Sequence, residues 1–293
     1  MTGNIQMDAL SLGFGVQSTG IALMAAMDRI PRPDKIYFSD LHRESKEVYD
    51  YIGYITPILN KYGIEITTVE PGDLYETVIN YKGLREIGLR STMIPLWYAD
   101  QTTGSARPLN RQCTTDYKIE AIASRVRLDL GKKRLLANSV RMWMGISSDE
   151  EYRIKQLYPN TFRVNHYPLI GKYADITYPG KPWPTLSRKM IKDIFNKNGI
   201  KVPPKSSCYF CPFHTIDYWY HIYQNFPDEW QSAVKLDRII RDYNNKSGTF
   251  ESGPFYLWKG LRPLESIDFD YEISKFKKQP DLFSGCDSGF CFA

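Results

Sequence analysis

Ala9-Leu10-Ser11-Leu12-Gly13-Phe14-Gly15-Val16-Gln17-Ser18-Thr19-Gly20 is the stretch from which the rest of the chain is read. Met7 to Leu12 is an apolar run of strand length. It breaks at Gly13 and Gly15, and Ile21, Leu23, Met24 and Met27 then recur at helical spacing. A strand that turns through glycines into a helix leaves the first backbone N–H groups of that helix unpaired, aimed at whatever lies beyond. Glycine permits the tight turn and a close approach of backbone to ligand, while Ser18 and Thr19 can cap the helix and donate to an anion. The pattern is a phosphate cradle in outline. It differs from the Walker loop, which ends in Gly-Lys-Ser/Thr, and from the G-x-G-x-x-G dinucleotide fingerprint. An ordinary strand-to-helix turn is the other reading of this loop taken alone.

The segments that follow favour a nucleotide-binding sheet. Lys35 to Asp40 is a second short apolar run, ending on an acid. Glu44 to Leu59 reads as a helix, with Val48, Tyr51, Ile52, Ile55 and Leu59 on one face, and Gly63 ends it before a β-rich Ile64 to Val69. Strand, helix, strand, helix, strand implies βαβ units and a doubly wound, mainly parallel sheet of the α/β class. Right-handed crossovers gather ligands at the carboxyl ends of such strands, where the glycine loop and Asp40 fall.

Further along, residues 83–112 are irregular, and an active-site loop or lid is expected there. Thr114 to Leu130 reads as a helix and Val140 to Ile146 as a strand. Proline and glycine become frequent from Tyr167 to Pro184, which places the expected boundary between a nucleotide-binding domain, 1–175, and a smaller, mostly helical region, 176–293. That region holds a helix from Leu186 to Asn198, the knuckle Cys208-Tyr209-Phe210-Cys211-Pro212-Phe213, aromatic-rich helices to about Tyr243, and a tail carrying Cys286 and Cys291. Trp183, Trp219 and Trp230 are expected to pack the C-terminal helices.

Composition narrows the class. The 293 residues are 42% hydrophobic and 24% charged, as in a globular protein. No apolar run has the length of a membrane span and the N-terminus lacks a secretory pattern, so a cytoplasmic location and no membrane partner are expected. The net charge of +5, with clusters at Lys132-Lys133-Arg134 and Lys277-Lys278, permits a nucleic-acid or nucleotide partner without requiring one. Five cysteines without a secretory signal argue against a disulfide framework and for metal or redox chemistry.

Three pieces together resemble one family. Gly13-Phe14-Gly15-Val16-Gln17-Ser18 resembles the pyrophosphate-binding loop S-G-G-x-D-S of the ATP pyrophosphatases and phosphoadenosine-phosphosulfate (PAPS) reductases. Asp40 and Glu44 match the D-T-G-x-E of their second strand. Gly145, Glu150 and Arg153 match a G-x-R-x-x-E-S-x-x-R segment, and the order and spacing agree over about residues 5–215. The resemblance implies an adenine nucleotide alpha hydrolase-like fold. It also implies phosphates on the amides from Gly13 to Ser18, with Ser11 and Val16 beside them. Asp40 would meet ribose or hold Mg2+ through water, and Arg111, Lys118 and Arg153 would supply positive charge, with Glu150 in the same machinery. Phe14 stands at a glycine position and Gln17 where the family has Asp, which bears on metal handling.

The cysteines extend the likeness. The segment from Arg111 to Ile122 is similar to the C-C-x-x-R-K-v-x-P-L of iron–sulfur adenylyl-sulfate reductases at Cys113 and Lys118, and Cys208-x-x-Cys211 supplies the second half. Thr114 replaces the second cysteine of the first pair, leaving three ligands, with Cys286 or Cys291 as a fourth. A 4Fe-4S cluster is implied, with a structural Zn2+ knuckle as the alternative, and a Cys286–Cys291 redox pair as another.

The activity implied is cleavage of ATP to adenylate a substrate for sulfur transfer, which is thiolation of a nucleic acid or nucleotide from a sulfur donor. The alternative is reduction of PAPS or adenylyl-sulfate to sulfite with a thiol reductant. The tail from Gly285 to Ala293 lacks the Glu and His of the reductases' E-C-G-[IL]-H, which favours sulfur transfer. A non-catalytic nucleotide sensor is a third reading.

Overall fold

Residues 5–80, 94–154, 161–171, 183–247 and 254–277 are described by the computed structural model. Five parallel strands form one sheet. They are β1 (Met7–Ser11), β2 (Lys35–Ser39), β3 (Ile66–Val69), β6 (Val140–Trp143) and β7 (Arg163–His166), in the order β3-β2-β1-β6-β7. Side chains alternate between the faces, as a pleated strand requires. Leu10, Leu12, Ile36, Phe38 and Trp143 enter one core, with helices α1 (Val16–Ala26), α2 (Lys46–Lys61) and α6 (Arg188–Lys197). Met7, Ala9, Tyr37, Val140 and Met142 enter the core on the other face, under α5 (Glu120–Asp129). Helices on both faces make the sheet doubly wound, and its strands are apolar on both sides for that reason.

The strand order decides where a ligand can bind. From β1 the chain builds outward through β2 and β3, then returns to the other side of β1 for β6 and β7. The connections after β1 and β6 therefore part in opposite directions, leaving a crevice at the carboxyl ends of the two strands. Register aligns Leu10 with Trp143, so the glycine loop and the Gly145 segment leave the sheet side by side.

A third core lies among α3 (Leu74–Ile79), α7 (Ile216–Asn225), α8 (Pro227–Ser247), α9 (Phe269–Lys277) and the cysteine knuckle, with Trp219, Trp230, Phe210 and Leu257 buried. Trp183 does not join it. Its ring meets Trp143 at 5.3 Å and His166 at 4.7 Å, on the sheet. The helix α6 likewise packs on α1, where a Cβ at Gly20 would come within 2.5 Å of Ile191 Cγ2. The boundary expected at 175 falls in 172–182, outside the described residues.

Three elements differ from expectation for local reasons. The helix α2 starts at Lys46 instead of Glu44, because Glu44 is held in an antiparallel bridge with Cys208 and Ser45 takes the N-cap. Within 83–112, β4 (Trp97–Ala99) and β5 (Ala106–Pro108) form a hairpin closed by Asp100, whose carboxylate accepts the N–H groups of Thr102 and Thr103; residues 81–93 lie outside the described residues. The helix expected from Thr114 begins as α4 (Gln112–Thr114) and passes through a π turn, Thr115–Ile119, before α5. Among the described residues no helix is long and apolar enough to cross a membrane.

Candidate functional site

The crevice between β1 and β6 is an open cleft of about 630 Å³, lined by Ser11, Gly13, Gly15, Val16, Gln17, Ser18, Met144, Gly145, Ile146, Arg153, Arg188, Pro204, Lys205 and Ser206. Its floor is the N-terminus of α1. Gly15 is the N-cap, no side chain caps the helix, and no acid occupies the first turn. The first amides of α1 therefore present the helix's positive end to the cleft. Ser18 and Thr19 do not cap as expected. The Ser18 hydroxyl accepts the Gly13 N–H at 3.2 Å, shaping the loop, and Thr19 is fully buried in α1.

Two residues fix the shape of this floor. A Cβ at Gly145 would stand 2.8 Å from the Ser18 nitrogen, so only glycine lets the β6 loop approach α1 this closely. Phe14 has φ +55°, in the left-handed region that glycine adopts at no cost. That conformation costs a non-glycine residue about 1–2 kcal/mol. Phe14 is buried with its ring edge-on to Phe38 at 4.8 Å, and burial of that kind is worth about 3–5 kcal/mol, so the aromatic residue wins at a glycine position.

Several polar groups here are buried without partners. Ser11 and Gln17 line the cleft and Ser147 follows the lining residue Ile146; Ser11 Oγ, Gln17 Nε2 and Ser147 Oγ are buried with no hydrogen-bond partner among the described residues. Buried polar groups are normally satisfied, so such a cluster marks a place where something else supplies the partners. The charged groups of the cleft all carry one sign. Arg153, Arg188 and Lys205 line it, and no Asp or Glu does. Arg153 is held by an ion pair with buried Glu150 in the 3-10 turn Ser148–Arg153, which makes Glu150 a positioning residue. Lys205 Nζ is buried over the Tyr218 ring at 4.7 Å.

Asp40 and Glu44 lie to one side with their carboxylates engaged. Asp40 accepts the His42 N–H at 2.8 Å and the Tyr49 hydroxyl at 2.7 Å. Glu44 meets Lys118 Nζ at 3.7 Å and the Ser206 hydroxyl at 3.4 Å. Burial pushes the Glu44 carboxyl up, against the attraction of Lys118, and Asp40 adds to the rise. Mg2+ demands oxygen ligands, commonly one or two carboxylates beside the phosphates. The cleft offers cations and N–H donors in their place, so its lining does not fit Mg2+.

Ser206 links this cleft to the cysteines, since it faces Gly15, bonds Glu44 and stands two residues before Cys208. Cys113, Cys208 and Cys211 share one neighbourhood with Glu44 and Lys118. Burial raises the Cys208 thiol well above its usual range, with Glu44 adding and Lys118 opposing, and Cys211 and Cys113 raise it further. The knuckle is tight: the Cys208 carbonyl accepts the Cys211 N–H at 3.0 Å and lies 2.9 Å from His214 Nε2. A 4Fe-4S cluster or Zn2+ needs converging thiolates. Among the described residues no group of three or more His, Cys, Asp or Glu is set to hold a metal ion. Cys286 and Cys291, the expected fourth ligands, lie outside the described residues.

Of the other candidates, Arg111 stands at the start of the helical run carrying Cys113, its guanidinium 4.4 Å from the Phe213 ring centre, and does not line the cleft. Arg188 and Lys205 escaped sequence reasoning, because they sit on no motif. A second, smaller pocket of about 310 Å³ shares Ser11 and Met144 with the cleft and is otherwise lined by Ile119, Ile122, Met142, Phe162 and Arg163.

No protein-family model matches the chain, and no curated protein matches it. Among solved structures, a phosphoadenylyl-sulfate (PAPS) reductase from Candida auris, in a phosphate complex, is similar at 14% identity. The match covers 67% of this chain and 74% of that one, with a TM-score of 0.38.

Proposed function

We propose that the chain is an adenine-nucleotide enzyme of sulfur chemistry, in which the cleft holds the nucleotide's phosphates and adenylates a substrate for sulfur transfer. The observation that carries this reading is the uncapped α1 N-terminus facing buried, unpartnered Ser11 and Gln17 and a lining whose charges are all positive. Phosphate oxygens would accept from the α1 amides.

In this scheme a substrate oxygen attacks the α-phosphorus, and the bond to the bridging oxygen breaks. Pyrophosphate leaves with the electron pair, its charge met by Arg153, Arg188 and Lys205. Sulfide then attacks the adenylated carbon, the carbon–oxygen bond to AMP breaks, and AMP leaves with the electron pair. The acceptor is a nucleic acid or nucleotide. Incubation of the protein with ATP, transfer RNA or DNA, and a sulfide donor should release pyrophosphate and AMP together. Absence of pyrophosphate with every acceptor contradicts adenylation.

A second reading has one specific support. Three cysteines share one neighbourhood, and Ser206, two residues before Cys208, lines the cleft, an arrangement compatible with reducing an adenylyl-sulfate to sulfite with a thiol reductant. Sulfite from adenylyl-sulfate or PAPS with reduced thioredoxin decides for it.

A further inference from the structure

We infer that the cleft binds phosphates without a divalent cation, Gln17, Arg188 and Lys205 taking the place that Mg2+ and its carboxylate ligands occupy in a metal-dependent nucleotide site. The inference rests on the phosphate-binding reading above and specifies its chemistry.

Gln17 is the pivotal residue. It is 7% exposed, lines the cleft from the first turn of α1, and its Nε2 has no partner among the described residues. An amide there donates to a phosphate oxygen, whereas a carboxylate would repel one unless a cation lay between them. The side chain thus completes an anion site made of N–H donors. It offers the metal only its amide oxygen.

The surrounding charges agree. Three cations line the cleft and no carboxylate does. The acids around it are engaged: Glu150 pairs with Arg153, Asp149 accepts the Arg188 N–H, and Asp40 and Glu44 are committed to Tyr49 and the His42 amide, and to Lys118 and Ser206. Arg188 occupies the first turn of α6, and Lys205 follows Pro203-Pro204, so two separate segments bring positive charge onto the end of α1. A pyrophosphate in this cleft has its charge neutralised by the protein. Magnesium would compete with these cations for the same oxygens.

The test is calorimetric titration of the full chain with inorganic pyrophosphate and with ATP, in EDTA and in excess Mg2+. The inference expects affinity in EDTA equal to that in Mg2+ or several-fold tighter. Binding at least tenfold tighter in Mg2+ overturns it while leaving the phosphate site standing. Absence of binding in both conditions overturns the phosphate site as well. In the same assay Gln17→Glu should weaken pyrophosphate binding in EDTA about tenfold or more and make it respond to Mg2+. Lys205→Met should weaken it about tenfold in both conditions, the size of one lost charge-assisted hydrogen bond. A Gln17→Glu protein that folds, by its circular dichroism and melting, yet binds as the parent does also overturns the inference.

Discussion

Two buried polar sites in this chain are built on opposite principles. Asp237, on α8, is 1% exposed, and each of its oxygens is used. Oδ1 accepts the Leu257 N–H at 3.0 Å, and Oδ2 accepts the Leu264 N–H at 3.1 Å and Arg241 Nε at 3.2 Å. In the β1–β6 cleft, Ser11 and Gln17 are almost as buried, and Ser11 Oγ and Gln17 Nε2 have no partner among the described residues. A satisfied buried group ties the chain together, and an unsatisfied one costs stability until a ligand arrives. The first site holds the C-terminal segment onto α8. The second leaves a hydroxyl and an amide N–H group without a partner among the described residues.

The largest effect expected from this contrast is at Asp237. Asp237→Ala strands two buried N–H groups and leaves Arg241 with Glu265 as its remaining acid, and should cost about 3 kcal/mol in urea unfolding. Pyrophosphate affinity of the fraction that remains folded should be unchanged. A loss under 1 kcal/mol breaks the contrast.

His166 sharpens it: its ring nitrogens have no partner among the described residues, yet it lies outside the cleft, wedged between Trp143 and Trp183. Burial, with Arg141 adding, lowers its pKa from 6.5 to about 3. The folded chain therefore keeps this imidazole neutral while the unfolded chain protonates it. The stability it contributes is complete above pH 6.5 and is lost as pH falls toward 3, at about 1.4 kcal/mol per pH unit. His166→Phe should flatten that slope in denaturant titrations between pH 6.5 and 4.5; an unchanged slope places the acid sensitivity elsewhere.

The smallest change in stability is expected at Ser11. Ser11→Ala removes a buried hydroxyl that has no partner among the described residues, so the variant should be more stable to unfolding, by about 1 kcal/mol. Pyrophosphate binding should nevertheless weaken several-fold. Equal affinity in the variant means that this hydroxyl does not face the ligand.

Which parts of this were legible in the sequence follows from the range of the forces involved. The strand, glycine turn and helix around Gly13–Ser18 could be read because the change of period and the glycines are local. The same holds for β2 and for the buried face of α2. The beginning of α2 could not be read, because a bridge from Cys208, far along the chain, holds Glu44 extended. Trp183 was misplaced for a similar reason: it follows a Pro/Gly-rich stretch yet packs back on Trp143 and His166. In the site, the cradle and Arg153 carry motifs. Arg188 and Lys205 do not, and reach the cleft only because α6 packs on α1 and the Pro203-Pro204 segment crosses Gly15. Gln17 was visible as a departure from an acidic position. The structure adds that it shares the cleft with Arg153, Arg188 and Lys205.

The most direct test of the phosphate cradle is a crystal structure of the full chain with inorganic pyrophosphate. The account predicts phosphate oxygens within hydrogen-bond distance of the amides of Val16 to Ser18, with Lys205 and Gln17 Nε2 on the same ligand. Pyrophosphate seated away from the α1 N-terminus, or a cleft that stays empty at saturating pyrophosphate, contradicts it.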